Sequence, residues 1–354
     1  MNKISLPIPN IIRYIFVLCL LTLGACKKGG NVPAPPPVVV TTFINPIMNG
    51  ADPWIIKQGV QYYYTQTSGN RVALWKSDKV STLASASSVD VFRPAAGLPY
   101  SNNIWAPELH YLDNKWYIYF TGGSGPDETQ RTWVLENPGA DPAVGTWTMK
   151  GRLFSPDADF WAIDGTTLTH EGQHYFLWSG RPNPAIQDQQ IYIAKMLNPW
   201  TLDTKSTLIT TPTFAWERVG GPVNEAPQIL KNTSGKVYMV YSASGCWTDD
   251  YTLGMLTLKT GGNPLMATEW EKGNQPIFTK NPSGRAFGPG HNAFFKSPDG
   301  SEDWIMYHAN NNTNEGCGEK RNVRIQPFTW NASGAPQFGT PVSTSTAIKK
   351  PSGE

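Results

Sequence analysis

Five stretches of the chain follow one pattern, and WAPELHYLDNKWYIYF at Trp105–Phe120 shows it most fully. A lead residue opens an apolar run, a turn of Gly, Asn or Asp follows, and a second run rich in Tyr, Trp and Phe ends the segment. The other stretches are DPWIIKQGVQYYYT from Asp52, DGTTLTHEGQHYFLW from Asp164, EAPQILKNTSGKVYMVY from Glu225 and HNAFFKSPDGSEDWIMYH from His291. Two short apolar runs around such a turn predict a β-hairpin.

The spacing of these hairpins predicts a β-propeller. The lead residues lie 53, 59, 61 and 66 residues apart, and four-stranded repeats of about 40–50 residues are typical of propeller blades. We predict an all-β protein, a five-bladed β-propeller with four antiparallel strands per blade. The propeller is expected over residues 43–345, with residues 346–354 as a C-terminal tail whose last residues, KKPSGE (349–354), fray. The expected blades are residues 50–100, 101–155, 160–215, 222–282 and 288–345.

The composition agrees with a turn-rich all-β protein. The 354 residues include 33 Gly, 30 Pro, 14 Trp and 14 Tyr, and only 16% are charged. Most of the aromatic side chains are expected to pack between blades rather than bind a ligand. The net charge is only +2 and no stretch is strongly basic, so nucleic acid is not an expected partner.

The N-terminal residues resemble a bacterial export signal. Residues 14–23 are almost wholly apolar, and Leu23-Gly24-Ala25-Cys26 resembles a lipobox. An apolar run this short is typical of a cleaved signal peptide. We therefore expect removal of residues 1–25, lipidation of Cys26 and a Pro/Gly-rich tether over residues 26–42. A plain secretory signal with an unmodified Cys26 is the alternative.

These features predict an exported bacterial lipoprotein of the periplasm or of the cell-surface side of the outer membrane, with the lipid as its only membrane contact. Cys246 and Cys317 would be the cysteines left beside Cys26. Both follow the second strand of their blade, and the two blades are neighbours. Because thiols outside the cytoplasm commonly pair, we expect a Cys246–Cys317 disulfide.

Propeller symmetry gathers the lead residues around one axis. Asp52, Asp164 and Glu225 are acidic, and Trp105 and His291 lead the other two blades. A single Asp before Pro or Gly is common in turns. Three converging carboxyl groups, however, repel one another and raise at least one pKa, which is typical of functional sites. Glycoside hydrolysis uses such a set, because one carboxylate activates water and one carboxyl group protonates the leaving oxygen.

Six motifs in order along residues 43–345 resemble glycoside hydrolase family 43. The resemblance implies a five-bladed propeller and an inverting mechanism, with Asp52 as general base, Glu225 as general acid and Asp164 as the acid that orients Glu225 and raises its pKa. The motifs are ADPWI (51–55), IWAPELHY (104–111), IDGT (163–166), PVNEAPQIL (222–230), GPGHNAF (288–294) and RNVRIQPFTW (321–330).

Further site residues are expected beside the three acids. The resemblance implies that Arg321 contacts sugar hydroxyls; Arg324 is the alternative, since residues three apart in a strand point to opposite faces. It also implies that His291 lies near the channel axis, often beside a calcium ion held largely through water, although bond cleavage requires no cofactor. Trp105 is expected to form a pocket wall, and Glu108 to face away from it.

Blades four and five most resemble the exo-acting 1,5-α-L-arabinofuranosidase branch of the family. The expected function is the release of terminal α-L-arabinofuranosyl residues from arabinan or arabino-oligosaccharides of the plant cell wall. A β-D-xylosidase or another family 43 glycosidase, and a non-catalytic carbohydrate-binding propeller, are the alternatives.

Overall fold

The computed structural model describes residues 41–354, except Pro184 and Ile186. The expected signal peptide, Cys26 and almost all of the tether lie outside the described residues. Within the described part there is no α-helix, and no helix long and apolar enough to cross a membrane. The helical residues there are six 3₁₀ turns: Leu83–Ser85, Asp127–Thr129, Pro156–Ala158, Ala215–Glu217, Ala267–Glu269 and Pro282–Gly284.

Five antiparallel blades confirm the predicted propeller. The chain enters through β1 (Thr42–Phe43) and β2 (Met48–Asn49). Blade one contains β3 (Trp54–Gln58), β4 (Gln61–Thr65), β5 (Val72–Ser77) and β6 (Ser88–Phe92). Blade two contains β7 (Asn102–Leu112), β8 (Lys115–Gly123), β9 (Arg131–Asn137) and β10 (Thr148–Leu153). Blade three contains β11 (Trp161–His170), β12 (Gln173–Arg181), β13 (Gln190–Asn198) and β14 (Thr201–Thr210). Blade four contains β15 (Asn224–Lys231), β16 (Val237–Ala243), β17 (Thr252–Leu258) and β18 (Trp270–Lys272).

Blade five is completed by the N-terminal end of the folded chain. Its own strands are β19 (Phe287–Lys296), β20 (Asp303–Asn310) and β21 (Asn322–Trp330), and β22 (Pro336–Gln337) pairs with the far end of β21. β2 supplies the fourth strand, with Met48 opposite Val323. The sequence prediction assigned the whole of blade five to residues 288–345 and missed this closure, because two residues carry no strand pattern of their own.

The C-terminal residues belong to the folded domain. β23 (Ile348–Lys349) pairs with β1, and the Glu354 carboxylate accepts the backbone N–H of Val80 at 2.6 Å. The expectation that the final KKPSGE (349–354) frays is therefore wrong. Hydrogen bonds to blade one and to the entering strand hold these residues in place.

The apolar core lies between the blades, as the aromatic pattern predicts. Each of five buried clusters fills the space between two neighbouring blades. Between blades one and two, for example, the rings of Tyr63 and Trp116 meet at 5.5 Å between centroids.

A ring of polar contacts joins the second strand of each blade to the first strand of the next. A Thr, Ser or His side chain, placed directly after an aromatic-rich run, makes each contact with a backbone group. Because the last contact joins blade five to blade one, the ring is closed. Its members are Thr65 to Pro107 C=O, Thr121 to Asp164 N–H, Ser179 to Asn224 C=O, Ser242 to His291 N–H and His308 to Asp52 N–H.

The residues that are equivalent between blades are marked by a left-handed backbone. Non-glycine residues rarely adopt this conformation, and outside turns it is often found at functional sites. The predicted register was therefore wrong by one residue in blades two and four, where Trp105 and Glu225 come one residue before the equivalent position. The equivalent residues, with their φ angles, are Asp52 (56°), Ala106 (41°), Asp164 (55°), Ala226 (48°) and His291 (46°).

Candidate active site

A cavity of about 610 Å³ opens where the first strands of the blades begin. It brings together the acidic residues from blades one, three and four with the other residues expected at the site. Arg324 is instead fully buried and donates to backbone carbonyls of Arg285 and Asn310. The predicted residues that line the cavity are Asp52, Trp105, Asp164, Glu225, His291 and Arg321.

Asp52 lies among hydrogen-bond donors. Its Oδ1 accepts from Nη1 of Arg321 at 2.9 Å, and its Oδ2 accepts from the hydroxyl of Thr67 at 2.6 Å. The Thr67 oxygen also accepts the backbone N–H of Ala106 at 2.8 Å, so its own proton points to Asp52. Burial by itself would raise the pKa of Asp52, but the neighbouring side chains, above all the positive charge of Arg321, hold that pKa well below its usual range. Asp52 is therefore ionised near neutral pH.

Two buried histidines flank Asp52, and both are neutral near pH 7. Burial lowers the pKa of His291 to about 4 and also lowers the pKa of His308. The Nδ1 atom of His308 accepts the backbone N–H of Asp52 at 3.1 Å, so it has no proton to donate to Oδ1, 3.4 Å away. The positive charge beside Asp52 therefore comes from Arg321.

Asp164 and Glu225 have the opposite environment. Burial, and then the negative charge of Glu225, raise the pKa of Asp164 well above its usual range. Burial raises the pKa of Glu225 to about 7, although the hydrogen bond from Tyr251 opposes the shift. These two carboxyl groups interact, so they titrate as a pair. The pair holds a proton at a pH where Asp52 has none.

The backbone of blade four links the two members of this pair. Ala226, directly after Glu225, has a left-handed backbone, and its N–H donates to Oδ2 of Asp164 at 3.1 Å. The Tyr251 hydroxyl donates to Oε1 of Glu225 at 2.7 Å. Glu225 is therefore held by a phenol, and no cationic side chain of the described residues bonds to it.

Glu108 lies outside this group, as expected. It is buried in β7, where it accepts from Gln228 and bonds to Nε2 of His110 at 2.8 Å. Its role is to join the inner strands of blades two and four.

Among the described residues, sequence reasoning missed the side chains of Thr67, His308 and Tyr251, which lie against the carboxyl groups of Asp52 and Glu225. His308 carried a usable signal, because it follows an aromatic run where the other blades have Thr or Ser. Thr67 and Tyr251 carried none, since both lie just outside the recognisable strands.

An arginine, an aspartate and a tryptophan of blades two and three also line the cavity. The guanidinium of Arg181 lies over the ring of Trp161, 3.8 Å from its centre, and also pairs with the carboxylate of Asp127. All three residues line the cavity.

A disulfide lies at the cavity rim. Cys246 and Cys317 are bonded, with their Cα atoms 5.3 Å apart. The bond joins a loop of blade four to a loop of blade five, and both cysteines line the cavity.

A metal ion near the axis would have few protein ligands. In the ranges 41–183 and 187–354 together with Ala185, no three His, Cys, Asp or Glu side chains are grouped to hold one. Next to His291, Asn292 is fully buried, and neither its Oδ1 nor its Nδ2 has a hydrogen-bond partner in the described protein. This arrangement fits an ion or a water bound mainly through solvent, and not a protein cage.

A propeller whose axial cavity holds one ionised and one protonated carboxyl group has the arrangement that sugar hydrolysis requires, which places it among the glycoside hydrolases. The family model "Glycosyl hydrolases family 43" matches residues 43–336, and the chain belongs to this family.

Relatives agree with this assignment. The chain is 39% identical over 338 residues to the extracellular exo-α-(1→5)-L-arabinofuranosidase of Streptomyces avermitilis, covering 92% of this chain and 68% of that one. It is 35% identical over 305 residues to α-L-arabinofuranosidase 43 of Humicola insolens, covering 84% and 63%. A crystal structure of an α-L-arabinofuranosidase from Lactobacillus brevis superposes with a TM-score of 0.81 at 35% identity, covering 86% of this chain and 98% of that one.

Proposed function

We propose that the protein is an exo-acting α-L-arabinofuranosidase that releases terminal α-L-arabinofuranosyl residues from arabinan or arabino-oligosaccharides with inversion. The observation that carries the proposal is that one cavity holds both Asp52, whose carboxylate accepts from a guanidinium, and the buried carboxyl groups of Asp164 and Glu225, whose pKa values burial raises. A protein that only binds carbohydrate needs neither a base nor a proton donor. The substrate is supported by the names of the relatives from Streptomyces avermitilis and Humicola insolens.

The reaction is a single displacement at the anomeric carbon. The Asp52 carboxylate takes a proton from a water molecule, and the water oxygen forms the new bond to that carbon. On the opposite face the bond to the leaving oxygen breaks, and Glu225 gives that oxygen its proton. The product is β-L-arabinose, and the enzyme is left with Asp52 protonated and Glu225 ionised.

Asp164 and Arg321 act through these two residues. Asp164 and Glu225 titrate as a pair, and ionisation of both together is disfavoured, so one proton stays available for the leaving oxygen. Arg321 keeps Asp52 ionised, and its remaining N–H groups can donate to sugar hydroxyls. The buried His291 holds its Nδ1 atom 3.3 Å from Oδ1 of Asp52 and helps to position the base.

A panel of aryl glycosides tests the substrate. The wild-type protein is expected to hydrolyse the α-L-arabinofuranoside much faster than the β-D-xyloside or the galactoside. NMR of the first product formed should show the β anomer. Faster hydrolysis of the xyloside would contradict the proposed substrate and indicate a β-D-xylosidase. If none of the three glycosides is hydrolysed, the protein is a carbohydrate-binding protein and not an enzyme.

The same proposal includes export and a lipid anchor at Cys26. The lipobox-like Leu23–Cys26 supports the anchor, and the description of the Streptomyces avermitilis relative as extracellular supports export. Metabolic labelling with palmitate in a bacterial host should label the full chain and fail to label the Cys26→Ala variant. Equal labelling of both would contradict the anchor.

A calcium ion near His291 and Asn292 would be structural in this proposal. It would be held largely through water, and it would supply no step of the cleavage. Removal of divalent ions with a chelator should therefore lower the melting temperature more than the rate at 25 °C. Complete loss of activity at an unchanged melting temperature would contradict this role.

A further inference from the structure

Trp247 is unusually exposed for a tryptophan in a folded domain. It is 52% exposed, whereas tryptophan is highly buried on average. It also lines the cavity that holds Asp52 and Glu225. An exposed indole that lines this cavity is a surface on which a ligand can pack.

Three glycines lie directly beneath the indole of Trp247. A Cβ atom on Gly245 would lie 2.4 Å from a ring carbon, one on Gly220 would lie 2.9 Å from Nε1, and one on Gly221 would lie 3.0 Å from another ring carbon. Any larger residue would push the ring away. The glycine bed, Gly220, Gly221 and Gly245, therefore lets the ring lie flat against backbone.

The glycine bed is held in place before any ligand binds. The N–H of Gly245 donates to the carbonyl of Val219 at 2.9 Å, and the N–H of Val219 donates to the hydroxyl of Ser244 at 3.0 Å. Cys246, between Gly245 and Trp247, is tied to blade five by the disulfide. A surface fixed in this way loses little freedom when a ligand binds.

The position of Trp247 places it on the side of the leaving group. Inversion requires the water and the leaving group to lie on opposite faces of the anomeric carbon. Asp52, on blade one, marks the water side, and Glu225, on blade four, marks the other side. Gly221 lies three residues before β15, which carries Glu225, and Trp247 lies four residues after the end of β16. The indole thus belongs to the blade of the proton donor.

We propose that Trp247 is a specificity-determining platform for the leaving-group sugar, the ring on the far side of the cleaved bond. The C–H face of a sugar packs on an aromatic face, because the ring face carries partial negative charge. The ligand class is an oligosaccharide whose second sugar stacks on the indole. This inference rests on the proposed glycosidase function. It assigns to Trp247 the preference of the enzyme for oligosaccharides over glycosides that lack a second sugar.

The test compares two substrates that share the terminal sugar. α-1,5-Arabinobiose has a leaving-group sugar, whereas methyl α-L-arabinofuranoside has only a methyl group. Trp247→Ala is expected to lower kcat/KM on arabinobiose by about 10- to 100-fold more than on the methyl glycoside. Trp247→Phe should recover part of the difference, since it restores a flat ring.

A second pair of variants moves the ring without removing it. Gly245→Ala is expected to reproduce the selective loss on arabinobiose, because the added methyl group displaces the indole. Gly318→Ala is the matched control on the same rim, since its Cβ would meet nothing within 4 Å. It should keep the wild-type ratio between the two substrates.

Binding measurements separate this proposal from the proposed function. In the Glu225→Gln background, addition of Trp247→Ala should weaken binding of arabinobiose by calorimetry at least tenfold more than binding of arabinose. Equal losses for both ligands, or for both substrates, would overturn the platform even if the enzyme is active. A wild-type protein that cleaves neither substrate but shows the difference in binding would overturn the glycosidase function and keep the platform.

Discussion

Asp52 and Glu225 line the same cavity and are buried to almost the same degree, yet they have opposite protonation. Asp52 is 9% exposed and Glu225 is 8% exposed, so burial does not separate them. Asp52 bonds to a guanidinium and a hydroxyl, whereas Glu225 bonds to one phenol and interacts with Asp164, a buried carboxyl group whose pKa is also raised. The comparison shows that neighbouring side chains, and not depth, decide which carboxyl group is the base and which is the acid.

The cost of burying each group differs as well. The charge of Asp52 is compensated by a cation, which an ionised buried group requires. Glu225 avoids the cost by keeping its proton, as a buried carboxyl group that is not paired with a cation commonly does. Near neutral pH the Asp52 side chain of blade one is therefore charged, whereas Glu225 of blade four can carry a proton.

The largest effect on activity is expected from removal of the ionised carboxylate of Asp52. Asp52→Asn leaves no base to activate water, so kcat should fall by about 10²–10⁴-fold on every glycoside. Steady-state kinetics on arabinobiose and on an aryl arabinofuranoside should give similar losses. A variant that keeps wild-type activity on either substrate would show that Asp52 is not the base.

Removal of the proton donor, Glu225, should lower kcat by a factor that depends on the leaving group of the substrate. Glu225→Gln cannot protonate the leaving oxygen, so kcat on arabinobiose should fall by about 10²–10³-fold. An aryl arabinofuranoside needs less proton donation and should lose less. Equal losses on the two substrates would argue against Glu225 as the acid.

Loss of the Arg321 cation next to Asp52 should reduce the difference in pKa between Asp52 and Glu225 without abolishing it. In Arg321→Met the pKa of Asp52 rises, because the positive charge that lowered it is gone. The acidic limb of kcat/KM against pH should therefore move to higher pH. Arg321→Lys is the matched control, since it keeps a positive charge there, and its limb should move less. An acidic limb unchanged in Arg321→Met would mean that Arg321 does not set the ionisation of the base.

The smallest effect is expected from the phenol next to the acid. The hydrogen bond from Tyr251 lowers the pKa of Glu225, so Tyr251→Phe should raise that pKa further. The basic limb of the profile should move to higher pH, with kcat at pH 6 changed by roughly tenfold or less. A basic limb that moves to lower pH would reverse the assigned role of Tyr251.

Much of the fold could be predicted because its signals are local. The turns Asp113-Asn114 and Glu171-Gly172 have positive φ at both positions, as tight hairpins require, and the same residue types mark them in the sequence. The closure by β2 could not be predicted, because its two residues pair only once the ring has formed. The C-terminal residues were misjudged for the same reason.

The sequence could predict which residues line the site, but not which positions are equivalent between the blades. Glu225 was aligned with Asp52 because both are acidic, whereas the equivalent residue is Ala226, which precedes Pro227 as Asp52 precedes Pro53. The left-handed backbone conformation identifies the equivalent positions in the blades, and the side chains at those positions differ in their chemistry. Tyr251 was missed because its contact with Glu225 exists only in the folded blade.

The most direct test of the account is a titration of the acid itself. In protein labelled with ¹³C at the glutamate side-chain carboxyl carbons, NMR should show one resonance that titrates near pH 7, in agreement with the pKa of about 7 for Glu225. That resonance should be absent from the Glu225→Gln variant. If every glutamate carboxyl group titrates below about pH 5, the protonated half of the comparison is contradicted, and with it the roles of the two carboxyl groups.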